Sequence, residues 1–152
     1  MNKRLAVIGL GNPLRGDDGV GPWVIAELTR QGLPPGVTAY DGGTAGLDLL
    51  RLLDSWEQVI IVDAGRVGQE PGQFVRFTPD QARWSETRDT LSLHNMGLSE
   101  VLALARALER PLPAIVIFGM QPGDTDWGER FSPAVQAALP TLVRAIREEI
   151  GE

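Results

Sequence analysis

The stretch LAVIGLGNPLRGDDGVGPWVIAEL, residues 5–28, decides the fold of this 152-residue chain. Its apolar start, residues 5–8, predicts a short buried strand, and the glycines that follow predict a tight turn. Residues 20–30 predict a helix, in whose first turn a proline is tolerated. Two acids, Asp17 and Asp18, stand where a phosphate site would carry N–H donors or a lysine.

The rest of the chain alternates between strand and helix patterns. Further strands are predicted at residues 37–40, 58–62, 73–77 and 114–118, and helices at residues 44–53 with Thr44 as cap, 94–108 with Ser92 as cap, and from Pro133 with Ser132 as cap. The alternating residues 73–77 indicate an edge or antiparallel strand, and residues 84–91 and 121–130 read as loops. We therefore expect one α/β domain over residues 1–152, with helices on both faces of a sheet.

The amino-acid composition argues against several classes of function. The net charge of −6 argues against a nucleic-acid partner, because such proteins carry a basic face. The absence of cysteine excludes a disulfide framework and a cysteine nucleophile. No apolar run of membrane-spanning length occurs, so the expectation is a cytoplasmic protein with no membrane partner.

The glycine-rich turn fits the nucleotide-binding motifs only in part. Gly9 and Gly11 match a dinucleotide fingerprint, but Leu14 occupies the third glycine position. Gly11 and Gly16 have phosphate-loop spacing, yet acids follow where the lysine should stand. A nucleotide-binding α/β domain stays an alternative, as does the view that the two acids only complement a helix N-terminus.

Several polar residues follow the ends of the predicted strands. Asp17 and Asp18 follow the first strand, Asp41 the second and Asp63 the third. In open α/β sheets the ligand crevice lies beyond the carboxyl ends of the strands. His94, the only histidine, begins a predicted helix that would open onto the same edge. Two carboxylates and one imidazole there would suit a divalent transition metal with open positions.

These segments resemble the hydrogenase maturation endopeptidases, which trim the C-terminal tail of the nickel-iron hydrogenase large-subunit precursor. The matching motifs are Gly9-x-Gly11-Asn12 with Asp17-Asp18-Gly19-Val20-Gly21, Asp41-Gly42-Gly43-Thr44-Ala45-Gly46, Ile60-Ile61-Val62-Asp63-Ala64 and Leu93-His94-Asn95-Met96-Gly97-Leu98. The resemblance implies a three-layer α/β/α sandwich with a mixed, mostly parallel twisted sheet. It also implies that Asp18, Asp63 and His94 are metal ligands. The family's first ligand is often glutamate, so Asp17 competes for that role, although the motif register favours Asp18.

The resemblance further implies a metal-dependent, aspartic-type endopeptidase whose nickel arrives on the substrate. The nickel would be held by cysteines of the precursor, and no tightly held metal of the enzyme's own is expected. Asp41 is a candidate catalytic helper because it belongs to the same predicted edge. A noncatalytic chaperone that checks nickel loading is the remaining alternative.

Overall fold

The structure, a computed structural model, describes residues 4–43, 46–81 and 98–151, without the side chains of residues 46–48 and 98–99. Its strands are β1 (Leu5–Leu10), β2 (Val37–Gly43), β3 (Gln58–Ala64), β4 (Phe74–Phe77) and β5 (Ala114–Met120). Its α-helices are α1 (Val20–Gln31), α2 (Gly46–Leu52), α3 (Leu98–Ala107) and α4 (Pro133–Ile150). Short 3-10 helices cover Gly16–Gly19 and Pro79–Gln81.

The strands form one mixed sheet in the order β2-β1-β3-β5-β4. β1 pairs in parallel with β2 and β3, and β3 pairs in parallel with β5. β4 pairs antiparallel with β5 at the edge of this sheet, which confirms the prediction for residues 73–77. The α/β class and the mostly parallel sheet are confirmed.

Two apolar clusters lie on opposite faces of the sheet. One joins α1 and α4 to inward-facing residues such as Val7 and Ile60. The other joins α2 and α3 to their neighbours Ile8 and Ile61. Because successive strand residues point to opposite faces, a continuous apolar strand serves both clusters. The result is the expected three-layer arrangement.

Element boundaries differ from the sequence prediction mainly at strand ends. β1, β2, β3 and β5 each continue two or three residues beyond the predicted stop. The polar and glycine residues at these ends predict turns, but pairing with neighbouring strands holds them extended: Gly9 pairs with Asp41, and Asp63 pairs with Gly119. The predicted caps Thr44 and Ser92, the loop at residues 84–91 and the helix start at His94 lie outside the described residues.

The connectivity creates a crevice between β1 and β3. From β1 the chain crosses through α1 to β2 on one side, and then returns to place β3 on the other side of β1. This reversal is the topological switch point, where open α/β sheets bind their ligands at the carboxyl ends of the strands. Across the described segments, we find no helix with the length and apolarity needed to cross a bilayer.

Candidate functional site

The glycines of the β1 turn allow backbone-to-backbone packing at the crevice. A Cβ on Gly11, whose φ is +133°, would lie 2.0 Å from the carbonyl oxygen of Asp18. A Cβ on Gly9 would lie 2.3 Å from the carbonyl oxygen of Gly21, and one on Gly21 would lie 2.8 Å from that of Val62. The backbone segments around these glycines are therefore too close for any larger residue. The glycines are accounted for by this packing, so they are not by themselves a sign of nucleotide binding.

Asp18 lies in the 3-10 helix Gly16–Gly19, between β1 and α1, and is completely buried. Its Oδ2 accepts a hydrogen bond of 2.8 Å from the backbone N–H of Asn12. This hydrogen bond holds the backbone of the turn against the Asp18 carboxylate and fixes the orientation of that carboxylate. The turn therefore holds Asp18 at the carboxyl end of β1, as predicted.

Asp63 is the penultimate residue of β3 and is also completely buried. Its Oδ1 accepts a hydrogen bond of 2.8 Å from the backbone N–H of Ala64. Strand alternation turns the Asp63 side chain toward the face that packs α2 and α3, because Ile61 belongs to that cluster. Since β1 and β3 are neighbours, Asp18 and Asp63 lie on the two sides of the switch-point crevice.

Asp17 has a role that sequence reasoning missed. Its carboxylate accepts four hydrogen bonds from the loop that precedes α4: Oδ2 from Gly123 N–H (2.8 Å), Asp124 N–H (2.9 Å) and the Ser132 hydroxyl (2.7 Å), and Oδ1 from Ser132 N–H (2.7 Å). Asp17 is completely buried. The view that Asp17 merely complements a helix N-terminus is therefore wrong: it ties the Asp18 turn to the loop.

Ser132 was expected to cap the last helix with its side chain. It is the N-cap residue of α4, with Pro133 at the first helical position as predicted, but it makes no side-chain cap hydrogen bond. Its hydroxyl donates to Asp17 instead. This bond is charge-assisted, because its acceptor is a carboxylate, and it fixes the orientation of the Ser132 hydroxyl. No local sequence signal pointed to this pair, whose members are 115 residues apart.

Asp41 lies near the end of β2, beside β1, and is exposed. Its Oδ1 accepts a hydrogen bond of 2.8 Å from the backbone N–H of Gly43. This hydrogen bond stabilises the backbone at the end of β2, and this structural role is by itself a reason for an aspartate at position 41. The structure places Asp41 on the carboxyl edge of the sheet, and a catalytic role stays a prediction.

The third predicted ligand, His94, lies outside the described residues. Within residues 4–43, 46–81 and 98–151, no group of three His, Asp or Glu side chains comes close enough to hold a metal ion. The described helix α3 begins at Leu98, and residues 108–113 connect it to the amino end of β5. Its first turn therefore lies toward the carboxyl edge, the side on which Asp18 and Asp63 are found.

Comparison with known proteins gives one consistent family. A family model described as hydrogenase maturation protease matches residues 22–149. The chain is 36% identical to the hydrogenase expression/formation protein HupD of Bradyrhizobium diazoefficiens, over 99% of this chain and 80% of that protein. It is 29% identical to the hydrogenase 2 maturation protease of Escherichia coli, over 95% and 92% of the two chains.

Solved structures agree with the sequence matches. The hydrogenase 2 maturation peptidase from Thaumarchaeota archaeon SCGC_AB-539-E09 superposes with a TM-score of 0.73 at 33% identity, covering 98% of this chain and 99% of that one. The hydrogenase maturating endopeptidase HybD from E. coli superposes with a TM-score of 0.74 at 28% identity, covering 96% and 93%. The fold and the sequence therefore point to the same group of proteins.

Proposed function

This chain belongs to the hydrogenase maturation protease family, and from that premise we propose that it is the endopeptidase that processes a nickel-iron hydrogenase large subunit. In this proposal it removes the C-terminal extension of the precursor once nickel has been inserted. The chain acts as a hydrolase of one peptide bond, and its partner is the precursor polypeptide.

The observation that carries the proposal is the burial of two carboxylates at the switch point. Asp18 and Asp63 are both 0% exposed, and they flank the crevice between β1 and β3. Carboxylate oxygens are ligands that divalent cations accept, and two carboxylates on one crevice supply two negative charges to balance such an ion.

We assign the metal-binding role to Asp18, Asp63 and His94. Two carboxylates and a neutral imidazole are ligands that first-row dications accept, and three ligands leave positions open for the substrate. Such a set contains no thiolate and has no intrinsic selectivity for nickel. Selectivity then comes from the precursor, whose own ligands deliver the metal, so the nickel is part of the substrate.

A nickel ion held between precursor and enzyme would act on the scissile bond as a Lewis acid or through a bound water. In this chemistry Asp18 and Asp63 act as ligands rather than as an acid–base pair. Asp41 is the candidate helper in proton transfer, because its carboxylate is exposed at the same edge of the sheet. The aspartic-type character of the enzyme would then reside in metal ligation.

Burial has a further consequence for the reaction. Neither Asp18 nor Asp63 has exposed surface in the unbound chain. A nickel ion carried by another protein would therefore reach them only after the groups that cover them, at the carboxyl ends of the strands, move aside. Precursor binding supplies the free energy for that rearrangement. Recognition of the whole precursor would thus precede contact with its metal.

One experiment tests the proposal. Purified precursor, with nickel or without it, is incubated with the protein, and mass spectrometry measures loss of the C-terminal extension. We expect cleavage of the nickel-loaded form only, and none with Asp18→Asn. Binding of loaded precursor without cleavage would favour a nickel-checking chaperone. Cleavage of both forms at equal rates would refute nickel recognition.

A further inference from the structure

A groove opens beside the Asp18 turn, between the start of α1 and the loop before α4. It has a volume of about 270 Å³. Its lining residues, which we call the proline–tryptophan groove, are Pro13, Gly19, Pro22, Trp23, Glu129 and Phe131. The rings of Trp23 and Phe131 meet edge to face, with centroids 6.5 Å apart and an interplanar angle of 87°. Nothing in the reaction described above uses this surface.

We infer that the groove binds a nonpolar side chain of the precursor, on the polypeptide segment next to the scissile bond. This inference rests on the proposed function and names a recognition site for its substrate. The volume, just below the about 300–1,000 Å³ of pockets that take drug-sized ligands, is sufficient for one bulky side chain.

The groove adjoins the turn that carries Asp18, one of the three proposed ligands. Gly19 follows Asp18 directly, and Pro13 follows Asn12, whose N–H donates to the Asp18 carboxylate. Gly19 and Pro13 are in close contact, since a Cβ on Gly19 would lie 3.0 Å from the Cα of Pro13. An extended chain advances about 3.3–3.6 Å per residue, so a few residues of peptide would reach from the groove to the Asp18 turn.

The surroundings favour an apolar polypeptide over other ligands. In the described part of the chain, the exposed large hydrophobic side chains are Leu14 (50% exposed), Leu108 (56%) and Trp127 (73%). Leu14 adjoins Pro13 in sequence, and Gly128, next to Trp127, donates its N–H to the Leu14 carbonyl oxygen. Clustered exposed apolar groups mark interaction sites, whereas single ones do not.

The groove is also rigid, and it is lined by one negatively charged side chain. The Asp17 hydrogen bonds fix the loop that bears Phe131 against the turn that bears Pro13. A pre-formed surface loses little conformational entropy on binding. Glu129 is the one charged residue among those that line the groove, so an acidic residue at this point of the peptide is disfavoured.

The test compares three variants on the nickel-loaded precursor, with KM and kcat from mass spectrometry and affinity from calorimetric titration. Trp23→Leu shortens one side of the groove but keeps an apolar group against the core, and Leu14→Ala trims its border. Leu108→Ala, an exposed leucine at the end of α3, is the matched control. We expect both groove variants to raise KM and Kd by about tenfold, while the control matches wild type.

The outcomes separate the groove from the proposed function. If wild type cleaves the precursor and all three variants behave alike, the groove inference is overturned and the function stands. If wild type binds without cleaving, the proposed function fails and the binding constants alone decide the groove. If wild type does not bind, both fail. A dimer in sedimentation experiments that Trp23→Leu dissociates would instead make a second copy the occupant, and would also overturn the inference.

Discussion

Loss of charge at the two adjacent acids, Asp17 and Asp18, should affect two different properties of the protein. Asp17→Asn is expected to cost stability, and Asp18→Asn is expected to cost activity. The reason is that Asp17 accepts four hydrogen bonds from the loop before α4, whereas Asp18 holds the Asn12 N–H and is the proposed metal ligand.

The size of the Asp17 effect follows from its contacts. In the Asp17→Asn variant, the best orientation of the new side chain places its amide oxygen where Oδ2 accepts three hydrogen bonds, and its NH2 group then faces the N–H of Ser132. One donor loses its acceptor, which costs about 1–3 kcal/mol, and three charge-assisted bonds become neutral. We therefore expect a loss of about 3 kcal/mol in the free energy of unfolding, or about 6–12 °C in Tm.

Asp18→Asn keeps a carbonyl oxygen for the Asn12 N–H. Weakening that bond by loss of charge costs about 1 kcal/mol. Thermal unfolding followed by circular dichroism gives the stabilities, and the processing assay is run well below both melting temperatures. An Asp17→Asn variant as stable as wild type would refute the role of the Asp17 hydrogen bonds. Full processing by Asp18→Asn, with none by folded Asp17→Asn, would exchange the two assignments.

Three further outcomes are expected. Gly11→Ala should prevent folding, because its Cβ would lie 2.0 Å from a backbone oxygen. Gly32→Ala, at φ +93° with nothing within 4 Å of the new Cβ, should cost only about 1–2 kcal/mol in the free energy of unfolding. Soluble yield and urea unfolding compare the two variants, and equal losses would contradict the packing argument. Protein dialysed against a chelator should contain no metal by elemental analysis, whereas one tightly retained ion per chain, required for cleavage, would make the metal the enzyme's own. Hydrogen bonds from Arg30 and then Gln31 lower the pKa of Glu27 from 4.5 to about 2. The stabilisation from Glu27 is therefore complete above pH 4.5 and is lost as the pH falls toward 2; NMR titration of its carboxyl carbon in the folded protein should give the low value, and a midpoint near 4.5 would contradict it.

The sequence by itself determined the layers of the fold and the location of the candidate site. Apolar runs, helical spacing and cap residues predicted each described strand and α-helix, because these patterns depend on neighbours a few residues away. The strand-end rule selected Asp17, Asp18, Asp41 and Asp63, and the family motifs singled out Asp18 and Asp63 among them. The structure places both beside the switch-point crevice. His94 stays a prediction from the sequence motif.

Only the tertiary structure decided what surrounds these residues. The partners of Asp17 lie 106 to 115 residues away, so no local pattern could distinguish this structural carboxylate from the adjacent candidate ligand. Contacts between segments distant in sequence also decide three other features. These are the complete burial of Asp18 and Asp63, the exposure of Asp41 and the groove beside Trp23. Local periodicity fixes which residues form an element, but the environment of a side chain is fixed by chain segments that only folding brings together.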